Sequence, residues 1–117
     1  MRLFHDPASA RHHRFILRAV AVLAAVTLSA ALRAETGLAA APRNDEVLAI
    51  ADRLIAETGA RNLSPFVLVE RAALAELRGD TAQEATHLRR AHEEFKRMGA
   101  TGRARETAAA LKARMLL

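Results

Sequence analysis

His87 and His92, the carboxylates of Glu57, Glu84, Glu93 and Glu94, and the hydroxyls of Ser9, Ser29 and Ser64 are the side chains from which this chain could build a reaction centre. Histidines could hold a metal, a carboxylate could act as general acid or base, and a serine could act as nucleophile. The spacing argues against each role. His87 and His92 are five residues apart, about 140° around a helix, so one ion cannot be held by both from one face. Glu84 with His87, or the pair His12-His13, makes too small a ligand set and reads as a solvated face. Glu57, Glu93 and Glu94 have no apolar pocket that would raise a carboxyl pKa, and Arg53, Arg89, Arg90 and Arg97 are their expected ion-pair partners. Ser64 stands before Pro65, where a capping role is expected instead of nucleophilic attack. Gly99 and Gly102 flank a short joint between helices, and the chain contains neither GxxxxGK[ST] nor GxGxxG, the loops that cradle phosphates. The absence of cysteine removes disulfides, thiolate metal sites and a cysteine nucleophile. The expectation is a protein that is not an enzyme, with no catalytic residue, cofactor, metal or small-molecule substrate.

Charge excludes a further class. The net charge is +5, but it is unevenly spread. Residues 1–43 carry six arginines against two acids, while residues 44–117 carry twelve basic against eleven acidic residues. The only local cation clusters, Arg89-Arg90 and Arg103/Arg105, have Glu93, Glu94 and Glu106 beside them. Nucleic-acid binding needs clustered cations with aromatic or polar readers, and no such patch is expected here.

The elements that must position these residues are all helical. Ala, Leu, Arg and Glu dominate, and no β-branched alternation suggests a strand. Five helices are predicted. The first runs from Arg14 to Thr36 and stops at Gly37; residues 1–13 form a disordered leader. A linker, 38–43, leads to Asn44 as N-cap of a helix over 45–58, with Asp45 and Glu46 in its first turn. Ser64-Pro65 opens a helix over 65–78. Asp80 with Gln83 forms a capping box for a helix over 81–98. Thr101 caps a last helix over 102–115, whose inner face is Ala104, Ala108, Leu111 and Met115. Short joints at Gly59, Gly79 and Gly99 make neighbours antiparallel.

An internal echo ties these helices together. Leu48, Ala51, Ile55 and Gly59-Ala60 return about 40 residues on as Leu88, Ala91, Phe95 and Gly99-Ala100. Ala31-Leu32 and Gly37 return as Ala73-Leu74 and Gly79, at a shift of 42. A period of this size marks stacked helical hairpins, which build binding surfaces. Small Ala51 and Ala91 sit where backbones must approach, with Ile55 and Phe95 one turn on. Ala85, Leu88, Ala91, Phe95 and Met98 form one apolar stripe, so Phe95 is expected in the core.

The first helix reads in two ways. Residues 19–32 carry no charge and follow Arg2, Arg11, Arg14 and Arg18, the layout of a signal peptide. As a span they are short, rising about 21 Å against roughly 30 Å of hydrocarbon. The echo favours instead a repeat helix buried between neighbours and apolar nearly all round. Residues 14–36 are thus a repeat helix or a signal or anchor segment.

Residues 44–117, and more loosely 18–43, resemble tetratricopeptide repeats of the long kind. The Gly79-Asp80 turn and the series Leu88, Ala91, Phe95, Met98 and Gly99 carry the likeness. ETGARNLSPFVLVERAALAELRGD followed by LRRAHEEFKRMGATGRARE is similar to the repeat tail of bacterial adenylate/guanylate cyclases and LuxR-type ATPase regulators. Glu84, where the repeat has Ala, and Arg71, where it has Leu, depart from the pattern. The resemblance implies an all-α solenoid fragment of about five helices and a non-catalytic protein–protein interaction module, cytoplasmic and linked to signalling. It also implies a partner groove along Val69, Ala73 and Glu76. Since an end helix would be left uncovered, a protein partner or self-association is expected. The alternative is a small exported or membrane-anchored helical protein, held by residues 15–32.

Overall fold

Helix-forming composition, four glycines at expected stop positions and short joints translate into an all-α architecture. The computed structural model describes residues 7–114, and the side chains of residues 16–114. Among them lie five α-helices: α1 Pro7–Thr36, α2 Ala41–Thr58, α3 Ser64–Leu77, α4 Thr81–Arg97 and α5 Thr101–Ala113. Two 3-10 turns, Gly37–Ala40 and Arg61–Leu63, complete the chain, and no strand occurs among the described residues. α1 packs on α2 and α3, α3 on α4, and α4 on α5.

The stops fall where expected and most starts do not. Gly59, Gly79 and Gly99 all have φ between 72° and 76°, the left-handed conformation that ends helices with least strain. After α3, the Gly79 N–H donates to Glu76 O and the Asp80 N–H to Ala75 O; after α4, the Gly99 N–H donates to Lys96 O and the Ala100 N–H to Phe95 O. The two turns are therefore built alike, 20 residues apart in the numbering. Asp80 caps α4, its Oδ1 accepting from the Gln83 N–H at 3.0 Å.

Four starts need correction. α1 begins at Pro7, not Arg14, so the predicted leader of residues 1–13 is helical from that proline; Pro suits the first helical position and the alanines after it favour helix. α2 begins at Ala41 with Pro42 in its first turn, which leaves Asn44 inside the helix instead of capping it. Its first turn holds no acid, and Asp45 instead pairs with Arg78 at 2.6 Å. Ser64 and Thr101 are helical residues without capping hydrogen bonds. At Ser64 the preceding 3-10 turn already feeds backbone into the helix. Met115 lies outside the described residues.

The 40-residue echo supplies buried Leu48, Ala51, Ile55, Leu88, Ala91 and Phe95, whereas of the 42-residue echo Ala31 is exposed and Leu32 and Ala73 are only half-buried. Val22, Leu48, Ala51, Ile55, Val67 and Leu74 form an apolar cluster between α1, α2 and α3. Leu68, Ala91, Phe95 and Ala104 form another between α3, α4 and α5, with Ala72, Leu88 and Leu111 beside it. The Phe95 ring meets Phe66 edge-on, centroids 5.3 Å apart, the arrangement that aromatic quadrupoles favour. Met98 breaks the stripe: it is 43% exposed, because the helix ends at Arg97 and the next residues turn away toward α5. α5 buries Ala104, Thr107 and Leu111, while Ala108 is only half-buried. α1 is not apolar because it is enclosed. Of its described side chains only Val22 and Ser29 are fully buried, while Ile16, Leu17, Val20, Leu23 and Leu28 face outward.

Candidate functional site

A cleft of about 200 Å³ opens where α1, α3 and α5 come together over α4. Its walls are Val26 from α1, Phe66 and Val69 from α3, and Ala110 from α5, with Leu88 and Phe95 of α4 behind them. α3 points these side chains one way because Phe66, Val69 and Glu70 are spaced three and four apart. Charge is confined to the edges. Arg103 lies over the Phe66 ring, 5.4 Å from its centroid, and pairs with Glu106 at 3.3 Å. A cation over an aromatic face is held by the ring quadrupole while its remaining N–H groups stay free to donate.

Glu70 forms one end of the cleft and is only 7% exposed. A buried carboxylate needs partners; α1 supplies them, and α2 holds one of them in place. Arg33 of α1 donates through Nη2 to Glu70 Oε1 at 2.8 Å and through Nε to Oε2 at 3.3 Å. Ser29, also on α1, donates to Oε2 at 3.4 Å. Asn44 of α2 donates to the Ser29 carbonyl at 2.7 Å and to its Oγ at 2.9 Å. The hydrogen bond to Glu70 pushes the Arg33 pKa above its ordinary value, against the smaller opposing effect of its own burial. The chain Asn44, Ser29, Glu70, Arg33 fixes the wall of the cleft by joining α2, α1 and α3. Asn44 Oδ1 is buried without a hydrogen-bond partner.

The predicted groove residues divide. Val69 lines the cleft. Ala73 is half-buried on the same helix, outside the cleft lining. Glu76 is exposed and bonded to Arg114, whose pKa that hydrogen bond raises. Arg114 also reaches Glu84 at 3.5 Å. Glu84 is therefore not part of a solvated face, as its spacing suggested; it is buried, held between α4 and the end of α5. His87 and His92 are placed apart from one another. The His92 Nδ1–H donates to the Ala104 carbonyl at 2.9 Å, joining α4 to α5. His87 is half-buried with Nδ1 unpartnered. Burial, then the cations Arg71 and Arg90, lower its pKa against a smaller raising effect of Asp80. Glu57 pairs with Arg18 at 3.9 Å, not with the expected Arg53.

Phe66, Glu70, Arg103, Ser29 and Arg33 were not expected at the site. Two of them left a readable sign: Arg33 ends an uncharged run and Glu70 ends the apolar run 65–69, so each charge calls for a partner. Across the molecule a wider cleft, about 500 Å³, lies between Ile55, Arg61, Asn62, Ser64, Arg97 and Met98, with Glu94 at its side. Among the described residues no group of three or more His, Asp or Glu is placed to hold a metal ion. Comparison of the chain with family models, with curated proteins and with solved structures found no match.

Proposed function

We propose that this chain is a non-catalytic helical-repeat module that binds another protein through the face shared by α1, α3 and α5. The observation that carries this reading is the cleft itself: an apolar floor, charges only at the edges, and walls drawn from alternate helices. Alternate helices are the first members of successive hairpins, the ones that line the groove in the tetratricopeptide repeats this sequence resembles. Such a site suits one large apolar side chain of a partner segment, with Arg103 and Glu106 reading the polar groups that flank it. As a detached tail of a cyclase- or ATPase-linked signalling protein, the module would supply recognition in the cytoplasm and leave the chemistry to other polypeptides.

A displayed library of random 16-residue peptides tests the reading. Enriched peptides should share an apolar anchor, and Val69→Glu should weaken their binding by at least about tenfold, the scale of a lost anchor contact. Thermal unfolding recorded in parallel separates lost binding from lost fold. A library that yields no enriched sequence, or peptides indifferent to Val69→Glu in a folded protein, would overturn the proposal.

A further inference from the structure

The side of α1 that faces away from the body has the chemistry of a lipid-facing surface. Ile16, Leu17, Val20, Leu23 and Leu28 are each about half exposed there, and Ala21, Ala24 and Ala31 fill the spaces between them. A soluble helix places charge on this side. Here the two charges that bound the apolar run lie off this side instead, Arg18 half exposed and Arg33 mostly buried. Arg18 is directed to Glu57 of α2 and Arg33 to Glu70 of α3. The one hydroxyl on the outward side, Thr27, donates to the Leu23 carbonyl of its own helix at 2.9 Å. From Ile16 to Ala31 this side therefore presents no charge and no unsatisfied side-chain hydrogen-bonding group.

Three occupants are conceivable, and the observations separate them. A second protein surface is usually met by a rim of polar groups around an apolar centre, and this face has no such groups along its length. A helix crossing the bilayer is long and apolar enough here by composition. Crossing would carry with it the helices that α1 holds, since Val22 is buried against Leu48 and Val67, and Ser29 against Asn44 and Glu70. α2 bears Asp45, Glu46, Asp52, Arg53 and Glu57, charges that hydrocarbon excludes. A membrane surface fits both constraints, because an in-plane helix buries one side and keeps its other contacts. Charge gives the lipid class: Arg2, Arg11 and Arg14 precede the apolar stretch against a single acid, Asp6. Such a segment is drawn to an anionic leaflet.

We propose that α1 rests in the surface layer of an anionic phospholipid membrane, parallel to the bilayer, with α2–α5 on the water side. This goes beyond the cleft reading and stands independently of it.

Flotation of the full chain with vesicles provides the test. Vesicles of phosphatidylcholine and phosphatidylglycerol in a 3:1 ratio should carry the protein at least about tenfold better than phosphatidylcholine alone, with raised salt narrowing the difference. The double variant Val20→Glu/Leu28→Glu should lose that binding by a similar factor. Its circular dichroism and melting temperature should match the parent, because both side chains point outward. The absence of cysteine allows single fluorophores at Val20→Cys and Ile50→Cys. The first label should shift to the blue on binding and the second, on α2, should not. No flotation would overturn the proposal. So would entry of both labels into the bilayer, which means spanning, or a dimer in lipid-free buffer that the double variant converts to monomer, which means a protein interface.

Discussion

Glu70 and Arg33 are the two residues whose substitution separates a buried charge from an exposed one. Arg33→Ala strands a carboxylate that is almost wholly buried, whereas Glu70→Ala leaves a guanidinium whose side chain still has 30% of its surface in water. Arg33→Ala is expected to cost about 3 kcal/mol and Glu70→Ala about half that, because an uncompensated charge is most costly where water cannot reach it. Urea unfolding of both variants measures the order, and the reverse order would mean that the pair is solvated. His87 gives a pH dependence. Its folded pKa lies below the ordinary 6.5, so the native state binds fewer protons than the unfolded chain just below that value. The stability it contributes is full above pH 6.5 and is lost as pH falls through the folded pKa. The groups around it are Asp45 of α2, Arg71 of α3, Arg78 just after α3, and Asp80, Gln83 and Arg90 at or on α4. His87→Gln should flatten the fall in unfolding free energy between pH 7 and 5. Residue roles were the least legible part of the sequence. Asn44 and Ser64 look like caps, and Glu84 like a surface acid, as long as each is judged by its neighbours in the chain. Their real partners are Ser29 and Arg114, distant in sequence, and in the case of Ser64 a 3-10 turn that supplants the cap.

Elements were more legible, and the reason is that their determinants are local. The stripe Leu88, Ala91, Phe95 put the buried side of α4 where the structure has it. Phe95→Ala should cost about 3–5 kcal/mol, as expected for a fully enclosed ring. Met98→Ala, at the half-exposed end of the stripe, should cost less than about 1 kcal/mol. A difference smaller than this between the two variants in denaturant melts would contradict the packing of α4. Gly79→Ala should cost about 1 kcal/mol through backbone strain alone, since φ is +72° and a Cβ would meet nothing within 4 Å. Helix starts were harder to read, because a preceding 3-10 turn can replace a capping side chain, as it does before α3. The cleft was partly legible: Val69 was expected there, while Phe66, Arg103 and Glu70 depend on how α1 and α5 approach α3. α1 itself supplies Val22, Ser29 and Arg33 to the interior. A chain beginning at Gly37 should therefore unfold without cooperativity, or require detergent to stay soluble, and circular dichroism melts of that truncation check it.

At the scale of the whole molecule, the helices form a slab 57 × 33 × 19 Å. Its radius of gyration is 16.2 Å, above the roughly 13 Å expected for a rounded chain of this length. Helices pack mainly on sequence neighbours, α1 with α2, α3 with α4 and α4 with α5, and the apolar clusters lie on either side of α3 in two neighbouring groups. Exposed ion pairs aside, the bonds from Ser29 and Arg33 to Glu70 stand apart from this pattern, spanning 41 and 37 residues. That difference has a kinetic side. Neighbour-on-neighbour packing closes small loops and forms quickly, whereas a latch across about 40 residues must wait for both of its ends to be in place. α3–α5 should thus assemble as the nucleus, with α1 and α2 docking late. Arg33→Ala should then speed unfolding and leave the refolding rate nearly unchanged, while Phe95→Ala should slow refolding. In stopped-flow traces, the opposite assignment of the two variants to the two limbs would place the nucleus at the amino-terminal hairpin.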